Sequence, residues 1–206
     1  MSADGKWGAC GNNDGAVVLF DLAASSMRTL QLGTLPNEVT ALGFSTDNRV
    51  LYVVVRNGNL VRYNVANQSQ IDSNPTGIPK PNALAVDPTG SLIAVGGDDG
   101  LINVFEAGRL VAKRAKPMSM PNDDMVQNLC FSPDGRLLAA GNMGDGVGVW
   151  NTSNLTEKPA AQAKGLSEWV RGVGFSPDGR RLIGFDNEKR LAVWDARSGA
   201  LNKSYE

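Results

Sequence analysis

An all-β fold built from repeated, four-stranded antiparallel units is predicted by three features of this 206-residue chain. A hexapeptide recurs at near-constant spacing, an aromatic–polar pair recurs in the same phase, and Asp/Gly-rich turns separate short alternating runs. FSPDGR occurs at Phe131–Arg136 and Phe175–Arg180, with weaker copies FSTDNR from Phe44, VDPTGS from Val86 and MSADGK from Met1. Their first residues lie 43, 42, 45 and 44 positions apart. Phe20-Asp21, Tyr63-Asn64, Phe105-Glu106, Trp150-Asn151 and Trp194-Asp195 keep the same four spacings. Two independent features that hold one phase over five units are not a chance pattern.

Within a unit the elements follow in a fixed order. Arg136–Gly141, the turn NMGDG and Val147–Trp150 read as two β runs joined tightly. Leu92–Gly96 with the turn Gly97–Gly100, and Leu182–Phe185 with the turn Asp186–Lys189, repeat the arrangement. Asp-Gly and Asn-Gly between alternating runs mark β-hairpins. In the SPDG and PTG segments Pro presets φ and Gly takes the conformations other residues avoid. Four short strands in about 43 residues make one β-propeller blade. The innermost strands are Val39–Phe44, about Asn82–Val86, Val126–Phe131 and Val170–Phe175. Met1 occupies the slot of Phe44, so the first unit has three strands and no inner one, and Ala200–Tyr205 is the last outer strand. The expectation is a single partial propeller over 1–206, about five blades and nineteen strands, with units of about 1–43, 44–85, 86–130, 131–174 and 175–206.

Units of this length that end in Val193-Trp194-Asp195 and carry FSPDG at the start of the second strand resemble the WD-repeat (WD40-type) β-propeller family. The Gly-His pair of that family stands here as Gly33-Thr34, Gly77-Ile78 and Gly165-Leu166. Its His-centred hydrogen-bond network therefore cannot form, and blades held by apolar packing are expected. The resemblance also implies a larger ring. Three readings follow: a piece of a longer propeller, a partial ring completed by another chain or a copy of itself, and a five-blade ring closed with a gap.

Composition narrows the function. Twenty Lys+Arg against 21 Asp+Glu leave a net charge of −1, without the basic footprint of a nucleic-acid binder. With no His and two Cys, neither His-based catalysis nor a zinc site or disulfide framework is expected. Cys10 and Cys130 read as small buried hydrophobes. Asp98-Asp99-Gly100 and Gly144-Asp145-Gly146 read as hairpin turns, lacking the remaining oxygen ligands of a calcium loop. No catalytic residue, metal or cofactor is predicted. The longest apolar run, Val50–Val55, falls far short of the ~20 residues that span a bilayer. Residues 1–15 lack the apolar core of a signal peptide. A cytoplasmic location, with the nucleus also compatible, is the expectation, and secretion is not.

The inner strands carry the candidate site. In Glu38–Phe44, Met125–Phe131 and Trp169–Phe175 the two-residue alternation slips once, the signature of a β-bulge. The residue at the slip is polar in all four inner strands: Thr40, Asn82, Gln127 and Arg171. Two positions earlier stand Glu38, Lys80, Met125 and Trp169. In a propeller these positions ring one mouth of the central channel, and the resemblance implies a frequent partner site there. Trp169 and Arg171 lead the set, since Trp and Arg dominate interface energetics. Hairpin turns on the same face, among them Arg56, Asp98 and Asn187, read as ordinary turn chemistry. The aromatic series Phe20, Tyr63, Phe105, Trp150 and Trp194 reads as packing between blades. Ala112–Pro121, with Lys113, Arg114 and Lys116, reads as a longer loop before the fourth blade.

The function expected is a non-catalytic platform that presents one propeller face to a protein or peptide partner, with no nucleic acid or membrane partner. Self-association or strand complementation through open blade edges is a further mode. The alternatives are a lactonase- or dehydrogenase-like propeller that binds a small ligand, and a structural subunit completed by another chain.

Overall fold

The computed structural model describes residues 1–31, 38–114, 118–120, 124–144, 146–166 and 169–206. Gly33-Thr34, Lys116 and Asp145 lie outside them. Five antiparallel sheets follow one another along the chain, and no helix occurs among the described residues. The first sheet has three strands, β1 (Trp7–Gly11), β2 (Ala16–Asp21) and β3 (Ser26–Gln31). The second has β4 (Val39–Phe44), β5 (Val50–Val55), β6 (Asn59–Asn64) and β7 (Gln70–Pro75), in that order. The third runs β8 (Pro81–Val86), β9 (Leu92–Gly97) and β10 (Leu101–Glu106), edged by β11 (Val111–Ala112) and β12 (Met118–Ser119). The fourth comprises β13 (Val126–Phe131), β14 (Leu137–Asn142), β15 (Val147–Asn151) and β16 (Ala161–Ala163). The fifth comprises β17 (Val170–Phe175), β18 (Arg181–Asp186), β19 (Leu191–Asp195) and β20 (Leu201–Tyr205).

The inner strands touch in sequence, β4 on β8, β8 on β13 and β13 on β17, so the sheets stand like blades around an axis. A sheet covered on both faces needs apolar residues at consecutive positions, and β5 (VLYVVV) supplies them. Leu51 and Val53 join Val17 and Leu19 of the first sheet. Tyr52 and Val54 on the opposite face join Ile93 and Val95 of the third. Trp150 and Trp194 fill the two later junctions and are completely buried.

The recurrent hexapeptide closes the turn after each inner strand. Ser45, Ser132 and Ser176 donate their hydroxyls to Asp47, Asp134 and Asp178 at 2.6 Å. The same hydroxyls accept the amides of Val50, Leu137 and Arg181 at 2.9–3.0 Å. Those serine hydrogen bonds, followed by the amides of Arg49, Arg136 and Arg180, hold the three carboxyls below the usual carboxylate range. The fifth position of the motif takes a left-handed backbone, adopted by Asn48 at φ +60 and by Gly135 at φ +69, and at Gly135 a Cβ would also lie 2.4 Å from Asp87 Oδ1.

Four expectations are corrected. Cys10 is exposed, and Phe20 is only partly buried, because among the described residues no sheet covers the first sheet's outward face. The outer strand of the third sheet is split, with β11 and β12 both pairing with β10, so the described residues form twenty strands rather than nineteen. Ala112–Pro121 is accordingly not one loop: Ala112, Met118 and Ser119 lie in the sheet. Lys113 pairs with Glu106 at 3.4 Å, and Arg114 donates to the Leu155 carbonyl. Finally, the junctions are not held by apolar packing alone. Beside Gly165-Leu166, Trp194 Nε1 donates to the Lys164 carbonyl at 2.7 Å. Beside Gly77-Ile78, Asn103 Nδ2 donates to the Thr76 carbonyl at 3.0 Å.

Candidate functional site

The predicted slips are real irregularities of register. Each inner strand skips one residue against its partner, between Val39 and Ala41, Pro81 and Ala83, Val126 and Asn128, and Val170 and Gly172. The skipped residues are Thr40, Asn82, Gln127 and Arg171, all at the mouth end of the inner strands. A bulge turns the side chain of the extra residue away from the regular alternation, and the four are used differently.

On the second and third sheets the site is closed upon itself. Arg56, in the turn after β5, reaches Asp98 of the next sheet with Nη2–Oδ2 at 2.9 Å, and Nε lies 3.8 Å from Glu38 Oε2. Asn82 Nδ2 donates to Asp98 Oδ1 at 2.7 Å, while Asn82 Oδ1 is buried with no hydrogen-bond partner among the described residues. The Asp98 amide donates to the Lys80 carbonyl at 3.0 Å; the Lys80 side chain stands exposed and apart from this group. Thr40 Oγ1 donates within its own sheet, to the Val54 carbonyl at 3.3 Å. On the fourth sheet Gln127 Nε2 points at Met125 Sδ, so these two form a local pair.

The fifth sheet is different. Trp169 is 40% exposed, and the Arg171 guanidinium carbon lies 4.5 Å from its ring centroid. Nε and Nη2 of Arg171 both donate to Asn187 Oδ1, at 3.1 and 3.0 Å. Asn128 Nδ2 of the fourth sheet donates to the Arg171 carbonyl at 2.7 Å. Among the described residues no carboxylate pairs with this guanidinium. A cation over an exposed indole and oriented by a neutral amide offers charge and apolar area together.

The structure thus joins Trp169 with Arg171, Met125 with Gln127, and Glu38 with Asn82 through Arg56 and Asp98. Reading the sequence missed the roles of Arg56, Asn187 and Asn128. Arg56 and Asp98 carry opposite charges one repeat apart, at corresponding turns, which is the signal that could have found them. Cys130 is inert here, since burial pushes its thiol up to about 12. Among the described residues no group of three or more acidic or Cys side chains is placed to hold a metal ion, and no helix is long and apolar enough to cross a membrane.

Comparison with known proteins places these features. The family model for the WD domain, G-beta repeat, matches residues 72–106 and 118–151. The chain is 26% identical over 188 residues to telomerase protein component 1 of Rattus norvegicus, covering 90% of this chain and 7% of that protein. It is 34% identical over 70 residues to small ribosomal subunit protein RACK1z of Oryza sativa subsp. japonica, covering 34% of this chain and 20% of that one. Against a chain of the crystal structure of the mitotic checkpoint complex the TM-score is 0.83, at 18% identity, over 97% of this chain and 59% of that one. The chain therefore spans less than two thirds of the length of each of these proteins. A register of repeats, bulged inner strands and the two WD40 matches agree: residues 72–106 and 118–151 carry WD40 repeats, and the chain has the fold of a WD-repeat β-propeller.

Proposed function

We propose that the chain is a non-catalytic interaction platform whose mouth face receives a protein or peptide segment at Trp169 and Arg171. The observation that carries this reading is the Arg171 guanidinium, without a carboxylate partner among the described residues, lying over a 40% exposed indole. The equivalent position on the second sheet, Thr40, is spent on an internal hydrogen bond. Met125 and Gln127 border the platform on the fourth sheet, and Glu38, Thr40, Lys80 and Asn82 complete the rim. Both relatives and the structural neighbour carry names of multi-component assemblies, which fits a platform role. A cytoplasmic setting suits the same reading. The test is affinity capture from a cell extract with the wild-type chain, Trp169→Ala and Arg171→Glu. Proteins retained by the wild type are expected to be lost by both variants at an unchanged melting temperature. Retention by both variants would remove the mouth face from consideration.

A further inference from the structure

The hairpins that follow β14 and β18 hold equivalent places in their sheets, but they treat charge differently. Asn142, Gly144 and Gly146 stand one repeat of 44 residues before Asp186, Glu188 and Arg190. Asn142 ends the register of β14 opposite Val126, as Asp186 ends that of β18 opposite Val170. In the fifth sheet the Asp186 side chain has no exposed surface, and its Oδ1 accepts the amides of Glu188 and Arg190 at 2.9 and 3.0 Å. Arg190 of the same hairpin supplies the cation, with Nε 3.4 Å from Asp186 Oδ2 and an ion pair to Glu188. In the fourth sheet Gly146 carries no side chain where Arg190 carries its guanidinium. Asn142 is 3% exposed, and its Oδ1 is buried with no hydrogen-bond partner among the described residues. The Gly146 amide donates to the Gly144 carbonyl at 3.0 Å instead. A carboxylate nevertheless stands over Gly144, where Glu188 has its counterpart. A Cβ built on Gly144 would lie 2.1 Å from Asp124 Oδ2 and 3.5 Å from Asn142 Nδ2. The Met143 amide donates to the carbonyl of Met125 at 3.1 Å, which ties the residue after Asp124 to the hairpin. Among the described residues no Lys or Arg forms an ion pair with Asp124.

We infer that this corner of the mouth face is a binding site for an arginine side chain of a partner peptide, whose guanidinium lies between Asp124 and Asn142 as Arg190 lies between Glu188 and Asp186. A buried acceptor without a donor costs free energy that a ligand's N–H returns. An unpaired carboxylate beside it selects a cation. The chain does not supply that cation from Gly146, where a Cβ would lie 2.6 Å from the Ala163 carbonyl oxygen. Two side-chain acceptors are too few for calcium, which takes roughly six to eight oxygens. They suit a guanidinium, whose planar fork brings its own donors and meets two acceptors at once. The site uses neither Trp169 nor Arg171, so it stands independently of the platform proposed above.

The test is an NMR titration of the isotope-labelled full chain with the capped pentapeptide Gly-Gly-Arg-Gly-Gly. Saturable shifts of the Gly144 and Gly146 amide signals are expected. The same peptide with citrulline for arginine keeps the shape, loses the charge, and should bind about tenfold more weakly or worse. Asp124→Asn should weaken the arginine peptide by a similar factor at an unchanged melting temperature. Asp124→Lys, which brings a cation from within the chain, should abolish binding. Asn142→Asp copies the Asp186 carboxylate and should tighten it. Should that buried change disturb folding, the two substitutions at the partly exposed Asp124 carry the test. Trp169→Ala should leave the peptide bound while abolishing capture at the mouth, which separates this inference from the platform. Free arginine, with a carboxylate and an amine in place of peptide bonds, should bind more weakly than the pentapeptide. Absence of saturable shifts, equal binding of the citrulline peptide or of free arginine, or unchanged binding by Asp124→Asn would overturn the inference.

Discussion

The two sides of the propeller mouth use one backbone device for opposite ends. On the second and third sheets the bulges lie beside a closed set of partners, with Arg56 set between Glu38 and Asp98, and Asp98 in turn holding Asn82. On the fifth sheet the bulge holds Arg171 against Trp169 with a neutral Asn187 behind it. A paired charge inside a network contributes to the fold and offers little to a visitor. A positioned charge held, among the described residues, by a neutral amide does the reverse, because its desolvation is offset more fully when an opposite charge arrives. The comparison teaches that the repeat sets where a residue sits, while its neighbour one sheet away decides whether it is spent internally.

The largest expected effect sets the scale for this comparison. Trp194 is fully buried and donates to the Lys164 carbonyl, so Trp194→Ala should cost about 3–5 kcal/mol of unfolding free energy in denaturant titration. Trp169→Ala should change it by no more than about 0.5 kcal/mol, as surface substitutions usually do. Comparable losses for the two would contradict the exposed assignment of Trp169. Next in size, Asp98→Ala leaves the Asn82 amide without its acceptor and should cost about 1–3 kcal/mol. Most of that belongs to the amide, since the partly exposed Arg56 pair is worth little on its own. Combining Asp98→Ala with Asn82→Ala should therefore cost less than the two single losses together, and strict additivity would mean that the network is not one unit. Arg171→Glu, by contrast, should leave the unfolding free energy within about 0.5 kcal/mol.

The smallest effect is that of pH. Asp47, Asp134 and Asp178 have carboxyls lowered in the folded chain, first by their serine hydrogen bonds. A depressed folded value stabilises above the unfolded value of about 3.9 and is lost as pH falls through the folded one. Stability should therefore be insensitive to these groups from pH 7 to about pH 5 and should fall below about pH 4. Asp134→Asn should reduce that acid slope in melts recorded across the range.

Much of this architecture was legible because it is local and repeated. The slip of alternation at Thr40, Asn82, Gln127 and Arg171 can be read in a single strand, and the register shifts fall at those four residues. The turn motif was legible for the same reason, since Ser45 and Asp47 meet within two residues. What escaped depends on partners far along the chain. The exposure of Cys10 and Phe20 is decided by whether another sheet lies over them, and no residue within their own strand encodes that. Arg56 meets Asp98 at a separation of 42 residues, across a sheet junction that the sequence does not draw. The divided outer strand of the third sheet consists of two two-residue pieces, too short to show any alternation.

The exposed Cys10 has a practical consequence. The chain has two thiols, and they stand in opposite environments: Cys10 is open to solvent, while Cys130 stays protonated because burial pushes it up to about 12. Only a thiolate attacks a maleimide readily. A dye offered at neutral pH will therefore mark the first sheet alone, giving the molecule a native attachment point from which distances to the fifth sheet can be followed optically without any substitution.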